Sequence, residues 1–578
     1  MWAPFRRVAT SWQIRAPARL GRRVNPTLHR SLLPRLASSI PHDRSTPEFK
    51  RKKADGIPTT TAARALAVNL DDDFYGSFAE IGAGQEVSRT FLRVGGAKGT
   101  VARSVSAYDM QMSDKMYGAA SRYVTKERML QMCHQEYHEL EEACRKMKGD
   151  DTRFFSFAST VAAKAYMSNR ECEAYMGCYY QKEKGQEPSL IWLHVRMNDP
   201  DAQLQADALG TLGCNLVYLC KQKHMPALTL IRHLLDDIEP GRLNINWVSF
   251  QGPGWKSVDD RLVALWLVQY GIAEAVVFQP KNEGHVATVP NLLFYKRPIC
   301  AQRGRFLFVT KTNEAIFDAA LAKLKEATQD APRPPMPIME LTLTPLGNSP
   351  EALSTDIPFD VRRDFLSRFD VLAAMGFPIM VSGLRPMHEI SAYMQRYTNQ
   401  KIIIAVGGGA YSIEYGMFHG LVDCPGGRLE AFGRLFAQGV QVYVFPNILH
   451  DGTLRCDLIS KIEDPGRRAL LEYFRVSEKI VPIEEKYITP CVLNAETNTP
   501  WRGKVQDVLY KISQFDHTWK ELIPAKLVDM VMKRGVSEIV RAQEHGVDIG
   551  GTGRGDELTN VLPLEKFSND FWRSKGMQ

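Results

Sequence analysis

The chain has 578 residues, with 44% apolar and 24% charged side chains, a globular composition that excludes fibrous, collagen-like and wholly disordered proteins. The formal charge of +8 is concentrated at one end: residues 1 to 42 hold eight Arg, no Lys and no acid, leaving 65 bases against 65 acids in the body. Bulk charge therefore gives no argument for a nucleic-acid partner, and a chain of this length needs neither disulfide nor metal staples.

In residues 1 to 42, Trp2, Phe5, Val8 and Trp12 recur at helical spacing among Arg6, Arg7 and Arg15. An acid-free, Arg-rich amphipathic leader predicts a mitochondrial transit peptide and places the protein in the mitochondrial matrix. No run of about 18 uncharged apolar residues occurs, so no transmembrane segment is expected. Residues 43 to 71 read as a polar linker, with regular structure starting near Phe74. Residues 72 to 187 read as a mixed α/β region containing the strand FAEI, a helix over Thr125 to Lys148 and a helix over Ser156 to Tyr166. His134 and His138 share a helical face, but the glutamate between them is misplaced for the zinc-protease signature. The Cys172/Cys178 and Cys214/Cys220 spacings are too wide for usual zinc pairs. The ten cysteines read as reduced structural thiols, and no metal is expected.

Beyond residue 188, compact apolar strands alternate with amphipathic helices, as in a parallel sheet built from βαβ units. LIWLHVRM, NLVYLC, LNINWVSF and IAEAVVF are the expected strands of a first repeat over 188 to 326. IMELTLT, PIMVS, KIIIAV and VQVYVF are those of a second repeat over 338 to 460, after the Pro-rich linker 327 to 337. Gly252, Gly254 and Ser257 fall opposite Gly407, Gly409 and Ser412 at a constant offset. The reading is a tandem duplication: an α/β fold with two Rossmann-like βαβαβαβ halves and a mixed, helix-rich N-terminal region. A helical region over 461 to 539 and a flexible tail over 540 to 578 complete the chain.

In open parallel sheets, ligands bind beyond the carboxyl ends of strands, where glycine admits the backbone and helix N-termini offer N–H groups to phosphate. Gly82 with Gly84, Gly252 with Gly254, and Gly407, Gly408 and Gly409 with Ser412 have that form. None is a complete dinucleotide fingerprint, since Val87, Ser257 and Ser412 stand where its third glycine would be. Polar clusters follow. Asp109 lies near Arg103 and Asp114; His194 and Arg196 share a strand face; Arg385, His388 and Glu389 come just after another strand. Asp109, Arg385 and His388 are the candidate catalytic residues. Gly82, Gly84, Gly407, Gly408, Gly409 and Ser412 are the candidate ligand-binding residues, for a nucleotide such as ATP or NAD.

FAEIGAGQEVSRTF, GTVARSVSAYDMQMSDKMYG, FFSFASTVAAKAY, HVRMNDPDAQLQADALGTLGCNLVY, VDDRLVALWLV and GGRLEAFGRLF together resemble a widespread bacterial family of unestablished activity. The likeness spans about residues 72 to 530. Its members often carry the label nicotinate-nucleotide adenylyltransferase, and some the label TonB-dependent receptor, which does not suit a chain without barrel-strand patterning. Family-like positions are Glu80, Gly82, Gly84, Tyr108, Asp109, Arg196, Gly427 and Glu430. The resemblance implies a nucleotidyltransferase-like activity, although none of the 13 His meets the HxGH spacing of such enzymes. The expected function is a matrix protein that binds a nucleotide or phosphorylated metabolite. The alternative is a non-catalytic structural or assembly protein with protein partners in the mitochondrion.

Overall fold

The computed structural model describes residues 56–534 apart from short stretches, of which 408–423 and 493–504 are the longest. The expected transit peptide, the tail over 540 to 578, and Gly408, Gly409 and Ser412 lie outside the described residues.

The architecture is α/β, with two large mixed sheets and helices packed on them. The first half runs α1 (Thr61–Asn69), β1 (Phe74–Ile81), α2 (Glu86–Arg93), β2 (Val101–Val105), α3 (Met110–Tyr117), α4 (Lys126–Lys148), β3 (Arg153–Ala162), β4 (Glu173–Tyr180), β5 (Ser189–Met197), α5 (Ala202–Lys221), α6 (Ala227–His233) and β6 (Leu243–Gln251). Its strand order is β2-β1-β3-β4-β5-β6; the first three are parallel and the last three join antiparallel.

The second half continues with α7 (Asp260–Gln269), β7 (Ala275–Pro280), β8 (His285–Thr288), α8 (Pro290–Phe294), β9 (Ile299–Gly304), α9 (Lys311–Ala327), β10 (Met336–Thr342), α10 (Pro350–Ser354), α11 (Phe359–Met375), β11 (Ile379–Ser382), α12 (Met387–Gln395), β12 (Ile402–Gly407), α13 (Gly427–Leu435) and β13 (Val440–Phe445). A two-stranded ribbon, β14 (Asn447–Ile448) with β15 (Leu454–Arg455), precedes β16 (Ile480–Pro482). The sheet order is β16-β13-β12-β9-β10-β11-β7-β8. Counting from β9, the six parallel strands stand in the order 6-5-4-1-2-3, the doubly wound arrangement of dinucleotide-binding sheets, with β7 and β8 added antiparallel beside β11.

Alternation along the strands explains why this sheet is covered on both faces. In β12, Ile402 and Ile404 enter one core with Ile390 and Met394 of α12 and Phe432 of α13. Ile403 and Ala405 enter the other, with Phe317 and Leu321 of α9. That second core is continuous with the first half, where Trp247 of β6 meets Phe278 of β7 edge-on at 6.0 Å.

Two α/β halves are present, but they part between β6 and α7 and not at the expected linker over 327 to 337: β7, β8 and β9 of the expected first repeat belong to the second sheet, and the element-by-element repeat is absent. NLVYLC is the end of α5, where Leu216, Val217, Leu219 and Cys220 are all buried; an apolar run in a helix buried all round imitates a strand. LIWLHVRM and LNINWVSF pair antiparallel in the first sheet, whereas their expected counterparts are parallel strands of the second. The stretch from Ser156 onward is a central strand buried on both faces, not a helix. Residues 61–69 of the expected linker form α1, anchored by wholly buried Arg64, which pairs with Asp236 at 2.5 Å and donates to Asn215 Oδ1 at 2.7 Å. The Pro-rich segment leads directly into β10 inside one sheet, so it divides no domains.

Candidate functional site at the carboxyl edge of the second sheet

The topological switch point of the second sheet lies between β9 and β12, adjacent parallel strands whose following helices go to opposite faces. Ligand crevices in such folds open beyond the strand ends; here those ends are Gly304, over which the buried Phe306 ring packs, and Gly407. Gly407 is half-buried with ordinary φ, and a Cβ placed on it would meet only Ile316 Cδ1 of α9, at 3.5 Å, among the described residues. Among the described residues, neither packing nor backbone conformation demands glycine there. Gln302, also on β9, donates from Nε2 to the Asn313 carbonyl in the first turn of α9 at 3.1 Å, while its buried Oε1 has no partner.

On the same edge, Arg303 and Glu340 form a pair across β9 and β10, with Nε to Oε2 at 3.1 Å and the carboxylate wholly buried. The Thr342 hydroxyl donates to Glu340 at 2.8 Å, and the Ser382 hydroxyl also donates to it. Burial pushes the Glu340 carboxyl up, opposed by the charge of Arg303 and by the two hydroxyls. Arg303 further donates to the Leu384 carbonyl, so this network holds the turn that carries Arg385 and opens α12. Glu340 lies near the end of the second parallel strand, where dinucleotide sites place the acid for a ribose hydroxyl, but its oxygens are already committed.

Arg385 stands exposed on that turn, and His388 is buried in the first turn of α12 after the Pro386 cap. The two follow one strand end three residues apart, with the Arg385 side chain exposed and the His388 ring buried. The structure adds a partner that the spacing hid: Cys424, whose sulfur lies 3.5 Å from His388 Nε2, while His388 Nδ1 is buried without a partner. Burial lowers the His388 pKa, aided by Arg434 and opposed by Glu430.

Asp109 belongs elsewhere. It caps α3 beyond the edge strand of the first sheet, accepting from the Met112 amide at 3.0 Å. Gly82 and Gly84 end β1 with φ of +115° and +87°, and a Cβ on Gly82 would run into the Val161 carbonyl of β3. The amides of Val87 and Ser88 at the start of α2, which a phosphate would need, already donate to buried Glu80 at 3.2 and 2.9 Å. Gly252 closes the antiparallel strand β6 against β5: its φ is +94°, its Cβ would come 2.8 Å from Ser189 Cα, and the Gly254 amide donates to Ser189 Oγ. It is therefore no equivalent of Gly407: one glycine closes an antiparallel strand and the other ends a parallel one.

Arg196 joins the halves, whereas its strand neighbour His194 stays within the first sheet. His194 Nε2 lies 3.1 Å from Glu173, and Arg196 reaches Glu274, just before β7, at 3.1 Å. Arg396, after α12, clamps the same Glu274 through both of its terminal nitrogens. Glu171 lies 3.8 Å from Arg196, and its carboxyl is pushed up to about 7 by burial, which outweighs the pull of Arg196.

Among the described residues no helix is long and apolar enough to cross a membrane, and no group of three or more His, Cys, Asp or Glu is placed to hold a metal ion. No protein-family model matches the chain, and no curated protein matches it. Among solved structures it is similar to competence/damage inducible protein CihA from Agrobacterium tumefaciens, at 16% identity over 29% of this chain and 98% of that one, with a TM-score of 0.22. A competence or damage-inducible protein from Enterobacter asburiae matches at 11% identity over 28% of this chain and 100% of that one, also with a TM-score of 0.22. A CinA superfamily protein from Enterobacter cloacae gives 13%, 28%, 94% and 0.21 for the same measures.

Proposed function

We propose that the second half binds a nucleotide or phosphorylated metabolite in the crevice between the ends of β9 and β12. The observation that carries this reading is Gly407: a glycine at a switch-point strand end, with ordinary φ and no described neighbour that excludes a side chain. A glycine that neither backbone strain nor any described neighbour requires is explained by a ligand that must approach the backbone. The first turn after β9, GRFLFVT, lacks the glycine fingerprint, and Glu340 is committed to Arg303. Both features favour a mononucleotide or phosphorylated metabolite over NAD. The family resemblance adds nucleotidyl transfer as the finer reading, and the Arg-rich leader adds the mitochondrial matrix as its place.

A thermal-shift panel of ATP, NAD and nicotinate mononucleotide on the full chain tests the binding. A ligand at about 100 times its Kd stabilises by about 2.7 kcal/mol, enough to raise the melting temperature measurably. No shift with any phosphorylated ligand would contradict the reading. Fusing residues 1 to 45 to a reporter tests the location, which cytosolic retention would contradict.

The second reading, a non-catalytic assembly protein, draws on exposed Leu429, Tyr473 and Val476. They stand on α13 and on the helix Pro465–Val476, which pack together through Phe432 and Phe474 at 4.8 Å. Co-purification of a stable mitochondrial partner that is lost on Leu429→Glu, with an unresponsive nucleotide panel, would favour it.

A further inference from the structure

Thiols that merely fill a core sit among apolar atoms, where desolvation disfavours the thiolate. Cys133, Cys178, Cys214 and Cys300 are of this kind, each fully buried with its thiol pushed up by burial. Cys424 is differently placed. It precedes the Pro425-Gly426-Gly427 turn into α13, two residues before the helix cap, and its sulfur lies 3.5 Å from His388 Nε2. The residues are 36 positions apart and meet because α12 and α13 pack side by side on one face of the second sheet.

The imidazole carries the second observation. His388 is 5% exposed, yet its Nδ1 has no hydrogen-bond partner, an arrangement that a purely structural histidine avoids. Its neighbours are Cys424 from the turn before α13, and Glu430 and Arg434 from α13 itself, where these two pair at 2.5 Å. Burial and Arg434 lower the imidazole pKa against the opposing pull of Glu430, which favours the neutral ring, and with the hydrogen on Nδ1 its Nε2 can take a proton. At the amino end of α13, Glu430 accepts from the Gly426 amide at 2.6 Å and pairs with Arg434.

We propose that Cys424 and His388 form a thiol–imidazole pair that undergoes exchange with a small anionic disulfide, making Cys424 a site of reversible S-thiolation. The thiol proton passes to His388 Nε2 as the sulfur attacks one sulfur of the incoming disulfide. The original S–S bond breaks, a mixed disulfide forms on Cys424, and the departing thiolate takes the proton back from His388. The electron pair of the broken bond leaves with that thiolate, so no further oxidant is needed. Small size is required because Cys424 is 8% exposed. Negative charge suits Arg434, which stands on α13 and acts on the His388 ring. The inference does not rest on the nucleotide reading.

The test uses the full-length protein with glutathione disulfide, followed by peptide mass spectrometry and by the melting temperature to verify the fold. Cys424 should be modified at least about tenfold faster than Cys214 or Cys300, with a pH–rate profile that bends where the imidazole titrates. His388→Gln should slow the reaction about tenfold near pH 7 and return the profile to that of a simple thiol. An unmodified Cys424 in native protein, a wild-type profile without the imidazole bend, or a folded His388→Gln variant reacting at the wild-type rate would each overturn the proposal. If that variant does not fold, the wild-type profile alone decides.

Discussion

Arg303 and Glu340 sit opposite each other in the register of β9 and β10, with guanidinium Nε 3.1 Å from a carboxylate that has no exposed surface. Removing one member of such a pair leaves a buried charge uncompensated, whereas replacing both with apolar groups leaves none. Arg303→Met is therefore expected to lower the unfolding free energy by about 3–5 kcal/mol, and the double variant with Glu340→Met to recover much of it. Chemical denaturation midpoints report both. Equal losses in the two would show that the charge pairing is not what Arg303 contributes.

The Glu171 carboxyl, near 7 in the fold against an ordinary 4.5, makes a pH prediction at the joint between the halves. Between those values the native chain holds a proton that the unfolded chain has released. Stability therefore falls as pH rises through this window, by at most about 3 kcal/mol. The benefit is fully present below 4.5 and lost above 7. Glu171→Gln cannot ionise, so its melting temperature relative to wild type should rise between about pH 5 and pH 8. A difference that stays flat across that range would show that Glu171 titrates normally.

Two glycines at strand ends should respond in opposite ways. Gly82→Ala forces a side chain to φ near +115° and against the Val161 carbonyl, and is expected to cost on the order of 1–3 kcal/mol. Gly407→Ala adds a methyl group that meets only Ile316 Cδ1 at van der Waals distance among the described residues, and should change stability by less than about 1 kcal/mol. Thermal unfolding of the two variants distinguishes a glycine kept for the backbone from one that the fold does not need.

Four strands of the second sheet were legible because IMELTLT, PIMVS, KIIIAV and VQVYVF are short β-branched runs between helices, whereas β9 at the switch point, whose run Ile299–Gly304 ends in Gln302, Arg303 and Gly304, was not read as a strand. The adjacency of Arg385 and His388 was legible for the same reason, as both follow one strand end. Cys424 was not, because its meeting with His388 depends on two helices packing on a sheet, which spacing does not encode. The joint between the halves was hidden in the same way: Arg196 and Glu274 are 78 residues apart. The regular glycine offset misled because a turn closing an antiparallel strand and one ending a parallel strand both use glycine, for different reasons. Asp109 was read as chemistry and is a helix cap, a role that sequence alone does not separate from catalysis.

The central claim is that a phosphorylated ligand lies against the backbone at Gly407. Isothermal titration of the tightest-binding nucleotide from the panel into wild-type protein and a Gly407→Val variant tests it most directly, with the melting temperatures of both recorded without ligand. Affinity weaker by about tenfold or more is expected in the variant, with little change in melting temperature, because the added side chain occupies the space of the ligand and its Cβ meets only Ile316 Cδ1 among the described residues. Undiminished affinity in a folded Gly407→Val protein would contradict it.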